Sequence, residues 1–380
     1  METILYFTDL HVGAHVAELA GVFDRAHEHK WRVIEIELER TTRSIRELVA
    51  QWKPAGVIME CSKTGREPLD KVFAGLPVVY LDPDPRTRAK AMHSVESDPT
   101  AICEMAAKEL SSTTIGTYVY FGWCTPTTWS RERGRGISAE IKRRTGKTCL
   151  LIDDPWEIGE THEIQRRLAE TFRGLPRPLG IFAVNDYAAL QVTEACHRLG
   201  WNCPGDFILV SVDNEEMHCE SSDPTLTSIE QDFRGAGRLS ADLLAELIAN
   251  PALPERHLTF GPVRMVRRQS SRSLRICDPR ITRAVERIRR DATMGVTAAE
   301  ILAEIPISRR LAEKRFLAAT GHTILEEIQE VRLQKVFELL RTDLPIGHIA
   351  ARCGIQSDSY LKRFFKAQTG MTLREWRKCH

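Results

Sequence analysis

From residue 1 to about residue 260, short apolar runs alternate with longer amphipathic stretches. ILYF (4–7), RVIEIEL (32–38), GVIM (56–59), PVVYL (77–81), TYVYFG (117–122), LLI (150–152), GIFAV (180–184) and FILVSVD (207–213) have the length and composition of buried strands. Between most of them, Ala14–His29, Thr42–Trp52, Pro99–Leu110, Ser130–Arg144, Ile158–Phe172 and Tyr187–Leu199 repeat apolar positions at helical spacing. Strands alternating with helices predict α/β lobes with parallel, doubly wound sheets. This much chain in that rhythm fits two lobes, with a ligand between them at the carboxyl ends of the strands.

After Pro279 the pattern is helix only, with helical periods at 279–292, 297–304, 308–320, 323–342, 345–353, 357–369 and 372–378. Thr297, Ser308, Thr323, Ser357 and Thr372 stand as N-caps, and Gly321, Gly354 and Gly370 follow helix ends. The prediction is a compact all-α domain. Between the two patterns, Thr259–Ile276 carries five arginines and no acid, which reads as a last strand running into a basic linker. The expected domains are therefore 1–270, a linker at 271–278, and 279–380.

Charge sharpens this division. Residues 261–380 hold 24 Lys+Arg against 13 Asp+Glu, a net of +11, so the +1 of the whole chain leaves −10 on residues 1–260. A basic third on an acidic carrier points to nucleic-acid binding at the carboxyl end. The ten cysteines form no C-x-x-C pair, which argues against a zinc ribbon and for reduced thiols in a cytoplasmic protein. No apolar run is long enough to span a bilayer, and the first residues read as a strand, not a leader.

Two helix-turn-helix units fit the tail. The first is 297–304, a turn at 305–307, and 308–320. The second is 346–352, a turn around 353–356, and 357–369. Each second helix is cationic, with Arg309, Arg310, Lys314 and Arg315 in one and Lys362, Arg363 and Lys366 in the other. A recognition helix has this form, with cations for phosphates and short polar side chains near its N-terminus for base edges. Ser308, Arg309, Arg310, Gln356, Asp358, Ser359 and Lys362 are the base-facing candidates, with Ser357 beside them, while Arg315 and Arg363 suit phosphate or structural contacts. Phe316, Phe364, Phe365 and Trp376 fall on the inward face. The joining stretch 323–342 would span about 30 Å, close to one DNA turn of roughly 34 Å.

The segment IAARCGIQSDSYLKRFFKAQTGMTLREWR (349–377) resembles the signature of the AraC/XylS family of transcription regulators, through Ile349, Ala350, Gly354, Ser359, Tyr360, Arg363, Phe365, Lys366, Gly370, Thr372, Trp376 and Arg377. It departs from that pattern at Ile355, Leu361 and Leu373. The first unit, ISRRLAEKRFLAATGHT, departs at Ala312 and Pro306. The amino-terminal body resembles the lac/gal repressor and periplasmic sugar-binding fold. VNDYAALQVTEACHRLGWNCPGDFILVSVDNEE (184–216) places Asn185, Asp186 and Asp213 where that family has cleft residues. PTLTSIEQDFRGAGRLSADLL (224–244) and GPVRMVRRQSS (261–271) match its return to the first lobe, Arg133 its cleft arginine, and Asp98 its helix-opening acid.

These resemblances imply a sugar-responsive DNA-binding regulator, an activator, with a monosaccharide effector; a pentose such as xylose is favoured by resemblance alone. Operator DNA, a homodimer partner and RNA polymerase are the implied partners, with no cofactor. Carboxylates, amides and arginine grip sugar hydroxyls, and an aromatic ring covers the apolar sugar face. Asp213, Asn185, Asp186 and Arg133 are the expected grips, Trp129 the stacking face, and Asp9, His11 or His15 border the cleft after the first strand.

Two alternatives belong to other classes. YFTDLHVGAH (6–15) has the Asp-x-His opening of a metallophosphoesterase, but the Gly-Asn-His and Gly-His-x-His segments of such enzymes are missing from the sequence, so no catalysis is expected. Glu215, Glu216 and His218 imitate a metal cluster but read as a solvated loop. A ligand-independent DNA-binding protein would lack the cleft pattern.

Overall fold

The computed structural model describes residues 1–8, 13–38, 40–60, 69–83, 92–112, 114–124, 127–153, 156, 160–271, 278–320, 323–342 and 344–379. The chain divides into two compact units, one made by residues up to 271 except 203–205, the other by 272–380 with that tripeptide.

The first unit holds β1 (Glu2–Thr8), α1 (Gly13–His29), β2 (Trp31–Glu37), α2 (Ile45–Trp52), β3 (Gly56–Glu60), α3 (Leu69–Val72), β4 (Val78–Leu81), β5 (His93–Ser97), α4 (Pro99–Leu110), β6 (Thr117–Phe121), α5 (Thr128–Thr145), β7 (Cys149–Ile152), α6 (Thr161–Arg173), β8 (Leu179–Ala183), α7 (Asp186–Arg198), β9 (Phe207–Asp213), α8 (Glu216–Ser221), β10 (Thr227–Gln231), α9 (Phe233–Ala249), β11 (His257–Phe260) and β12 (Pro262–Val266). Its strands form two sheets, ordered β11-β5-β4-β3-β1-β2 and β12-β10-β9-β8-β6-β7. All pairs are parallel except β10 with β12. In β1, Ile4 and Tyr6 enter one core layer with Val22 and Leu244, while Leu5 and Phe7 enter another with Leu48 and Phe73. Burial on both faces is why such strands read as continuous apolar runs.

The expected last strand near Thr259 is two strands, one in each sheet, and β5, β10, α8 and α9 add to the elements expected. The chain passes between lobes at three adjacent points. Asp98 N–H donates to the Phe260 carbonyl at 2.8 Å, and Asp232 N–H approaches the Gly261 carbonyl at 3.4 Å. Asp98 also caps α4, accepting from the Thr100 and Ala101 amides, as the sequence suggested.

Helices α1 and α9 meet with almost no separation. A Cβ on Gly21 would lie 2.0 Å from the Arg234 carbonyl oxygen, and one on Gly237 1.9 Å from that of Glu18. Arg234 and Arg238 both pair with Asp24 across this contact.

The second unit holds α10 (Pro279–Asp291), α11 (Ala298–Ala303), α12 (Arg309–Thr320), α13 (Ile324–Leu340), α14 (Ile349–Arg352), α15 (Asp358–Thr369) and α16 (Leu373–Cys379), with short 3-10 turns before α11 and α14. Thr297 and Thr323 form capping boxes with Glu300 and Glu326. Ser357 accepts from Tyr360 N–H, and Thr372 exchanges hydrogen bonds with Glu375. Gly321 lies outside the described residues. Two cores result, one around Ile301, Ala312 and Phe316, the other around Phe337, Phe365 and Trp376. Helix α13 serves both cores; its 17 residues make about 25 Å, shorter than the sequence estimate because the chain turns at Arg341.

Candidate functional site

In the second lobe, the polar groups gather where the parallel strands end, as a doubly wound sheet dictates. Arg133 is carried by α5, whose first turn is capped by Thr127. Its guanidinium carbon lies 5.0 Å from the Trp129 ring centre, and Nη1 donates to the Val184 carbonyl at 2.7 Å. Arg133 is buried, and among the described residues its Nε has no hydrogen-bond partner.

Asp213 ends β9 with φ of 102°, followed by Asn214 at 53°. Left-handed conformations cost non-glycine residues and persist where the surroundings impose them. Here the turn is held from three sides. Asn214 N–H donates to Ser228 Oγ at 2.9 Å, Arg268 donates to Asn214 Oδ1 at 3.0 Å, and Glu215 N–H donates to Asp186 Oδ2 at 2.7 Å. Gln231 Nε2 donates to Asp213 Oδ1 at 3.0 Å. Burial raises the Asp213 carboxyl above its ordinary range, and the Arg133 charge and the Gln231 hydrogen bond oppose that rise. The buried Gln231 Oε1, like Arg133 Nε, has no partner among the described residues.

Asn185 caps α7, its Oδ1 accepting from Ala188 N–H at 2.9 Å. Asp186 departs from the expected ligand contact. It is buried, and its two oxygens accept from Ser211 Oγ and Glu215 N–H, so it braces the Asp213 turn from behind. Burial first, and the Asp213 charge second, push its carboxyl up to about 7.

The expected stacking residue, Trp129, belongs to a larger aromatic group. Trp123 lies 6.0 Å from Trp129, and edge-on to both Trp156 and Tyr187 at 5.9 and 6.1 Å. Trp156 and Tyr187 stack at an interplanar angle of 5°. Sequence reading passed over Trp123, Trp156 and Tyr187, and singled out neither Gln231 nor Asp82.

The first-lobe wall also has its polar groups at strand ends. Asp82 follows β4 with φ of 38° and accepts from Ser97 N–H at 2.8 Å. Burial pushes its carboxyl up to about 7, the Glu18 charge adding to the rise and the Ser97 hydrogen bond and Arg133 charge opposing it. His15 and Glu18 project from α1 beside Glu60, the last residue of β3. Thr128 Oγ1 donates to the Pro83 carbonyl at 3.2 Å, joining the lobes. Asp9 and His11 lie outside the described residues.

Two readings of charged segments change. Glu216 opens the short helix α8, and His218 pairs with Glu215 at 2.9 Å, so the expected solvated loop is a folded turn. Arg264, Arg267 and Arg268 pair with Glu230, Glu109 and Glu220 inside the body, which neutralises the described start of the basic stretch.

On the tail, Ser308, Arg309, Arg310 and Lys314 of the first unit are exposed, as are Gln356, Ser357, Ser359, Lys362, Arg363 and Lys366 of the second, with Asp358 half-buried. Phe316, Phe364, Phe365 and Trp376 are buried, as their spacing predicts. Arg309 pairs with Glu313, and Arg315 with Asp278 at 2.7 Å, the latter fastening α12 to the cap of α10.

Residues 106–271 match the periplasmic binding protein-like domain family, and 301–378 match a helix-turn-helix domain. The chain joins a periplasmic binding protein-like domain to a DNA-binding helix-turn-helix domain. It is similar from end to end to the xylose operon regulatory protein of Escherichia coli K12, 27% identical over 99% of this chain and 96% of that one. The protein of that name from Haemophilus influenzae is 28% identical over 74% of each chain. The solved structure of the xylose-binding transcription activator xylR superposes with a TM-score of 0.61 at 24% identity, covering 99% of this chain and 98% of that one. This architecture is that of a sugar-responsive transcription regulator, as the sequence implied. No described helix of the regulator is long and apolar enough to cross a membrane.

Proposed function

We propose that the regulator senses a monosaccharide, xylose or a closely related pentose, between its two lobes and passes that state to operator DNA through the tail. Residues 1–270 form the sensor, 271–278 the linker and 279–380 the DNA-binding domain, acting in the cytoplasm as a homodimer that activates transcription through RNA polymerase. The buried Arg133 Nε and Gln231 Oε1, whose side chains both act on the Asp213 carboxylate, carry this reading. One is a donor and one an acceptor, and a sugar hydroxyl is both. Asp213, Arg133 and Gln231 grip hydroxyls, Asn185 offers its amide nitrogen, and Trp129 or Trp123 supplies an indole face. Asp9, outside the described residues, is a further proposed grip. On DNA, Lys314 and Lys366 take phosphates, while Ser308, Arg310, Gln356, Ser359 and Lys362 face bases. The names of the similar regulators supply the choice of pentose. Thermal unfolding against a panel of pentoses and hexoses tests it, because a ligand bound to the folded state alone raises the melting temperature by mass action. A rise with xylose or a near isomer supports the reading; no rise with any sugar refutes it.

A further inference from the structure

One cluster on the first-lobe wall takes no part in gripping a sugar in the account above. His15 and Glu18 stand one turn apart on α1, and Glu60 ends β3 opposite them. One ligand atom from each lies within 4.8 Å of the others. Glu18 is 5% exposed, deeper than a lone carboxylate normally sits. Among the described residues its hydrogen bond comes from the Tyr6 hydroxyl at 3.5 Å, the outer limit for such a bond, and His15 Nδ1 is 3.9 Å away. Glu60 is held by the Thr8 hydroxyl at 3.1 Å, and His15 Nδ1 closes onto its Oε1. Two carboxylates and one imidazole thus converge, and among the described residues Glu18 is buried with only the long Tyr6 bond and His15 at its edge.

We propose that His15, Glu18 and Glu60 form a binding site for one divalent first-row transition ion. An imidazole nitrogen with two carboxylates suits Mn²⁺ or Zn²⁺, whereas Mg²⁺ and Ca²⁺ favour oxygen ligands alone. The ion offsets both acids and supplies the coordination that the Glu18 carboxylate lacks. The packing of Gly237 against the Glu18 carbonyl fixes the helix turn that presents Glu18, so the site rests on rigid backbone. The segment that supplies His15 is the one whose Asp-x-His opening suggested a metalloenzyme. The proposal does not depend on which sugar binds, or on whether one does.

The full chain, stripped with a chelator, is titrated with Mn²⁺ by calorimetry and by the loss of the free-ion electron paramagnetic resonance signal. Mn²⁺ is the probe because it avoids the free cysteines that Zn²⁺ would also seek. The expected result is one ion per chain. Binding should weaken at least about tenfold in both His15→Ala and Glu60→Gln, and stay unchanged in His197→Ala, on an exposed stretch of α7. If His15→Ala does not fold, His15→Gln is read in its place. Absence of Mn²⁺ binding in the wild type, or binding that survives either cluster substitution, overturns the proposal.

Discussion

Arg133 and Trp129 lie one turn apart on α5, the guanidinium over the indole at 5.0 Å, while the same arginine reaches the Val184 carbonyl at the end of the neighbouring strand. Stacking and hydrogen bonding fix the fork in the free chain, so its donors would meet sugar hydroxyls at little entropic cost. Arg133→Ala should weaken sugar binding by about 1.5–3 kcal/mol, the range for hydrogen bonds to charged groups. Arg133→Lys should also weaken it, because an ammonium reproduces neither fork nor stack. Calorimetry with the sugar found by thermal screening reads both; wild-type affinity in Arg133→Lys would show that charge alone matters.

Asp213 should be as demanding. Its carboxylate meets Gln231 and the field of Arg133, so Asp213→Ala removes a grip and unbalances the arginine. A loss of about 1.5–3 kcal/mol in sugar affinity is expected. Unchanged affinity here and in Arg133→Ala would place the sugar elsewhere.

Asp186 gives a pH signature. Its carboxyl, raised to about 7, holds its proton more tightly in the folded chain than in the unfolded one. The stability it contributes is complete below the unfolded value near 4 and is lost as pH rises through about 7. Asp186→Asn cannot titrate, so it should flatten the fall in stability across that window, by at most about 4 kcal/mol. Urea unfolding at pH 4.5, 6 and 8 measures the slope. Parallel slopes for the variant and the wild type would contradict the assignment.

Gly237→Ala places a methyl against the Glu18 carbonyl, where backbone on both sides prevents relief. Overpacking of this kind costs on the order of 3 kcal/mol. The variant should unfold several degrees lower, as followed by circular dichroism, whereas Gly174→Ala, whose added Cβ would meet only the Thr171 carbonyl oxygen at 4.0 Å, should not.

Part of this was legible in the sequence. The bounds of α4 follow from Asp98-Pro99 and the apolar repeat to Leu110, and the tail helices from Thr and Ser caps and from glycines such as Gly354. Strand β5 was not, because HSVES offers one strongly apolar residue; it is a strand through pairing between β4 and β11, with Ser94 and Ser97 buried inside the sheet. Helix α9 opens with Phe-Arg-Gly-Ala-Gly, which weakens any helix signal; Gly237 permits the approach of α1, and Gly235 sits over the Asp232 cap. The grouping of Trp123, Trp156 and Tyr187 draws on separate segments, so no local pattern announces it. Gln231 hides in a short strand, where one amide reads like any other polar residue.

DNA binding by the tail should be electrostatic as well as specific. Residues 278–380 hold 19 Lys+Arg against 13 Asp+Glu. Lys366→Ala should weaken DNA binding across sequences and lower the salt slope by about 1. Gln356→Ala should instead relax base preference at one position. Fluorescence anisotropy over a salt series separates the two effects.

Sugar and operator should communicate through one chain. A ligand shifts a conformational balance only through different affinities for its states, and linkage makes the coupling reciprocal. The decisive measurement is sugar affinity of the full chain with and without operator DNA, at one fixed salt concentration. Operator should tighten sugar binding by the factor by which sugar tightens operator binding. Equal sugar affinities in the two conditions, with DNA footprints that ignore sugar, would leave two binding modules and no switch.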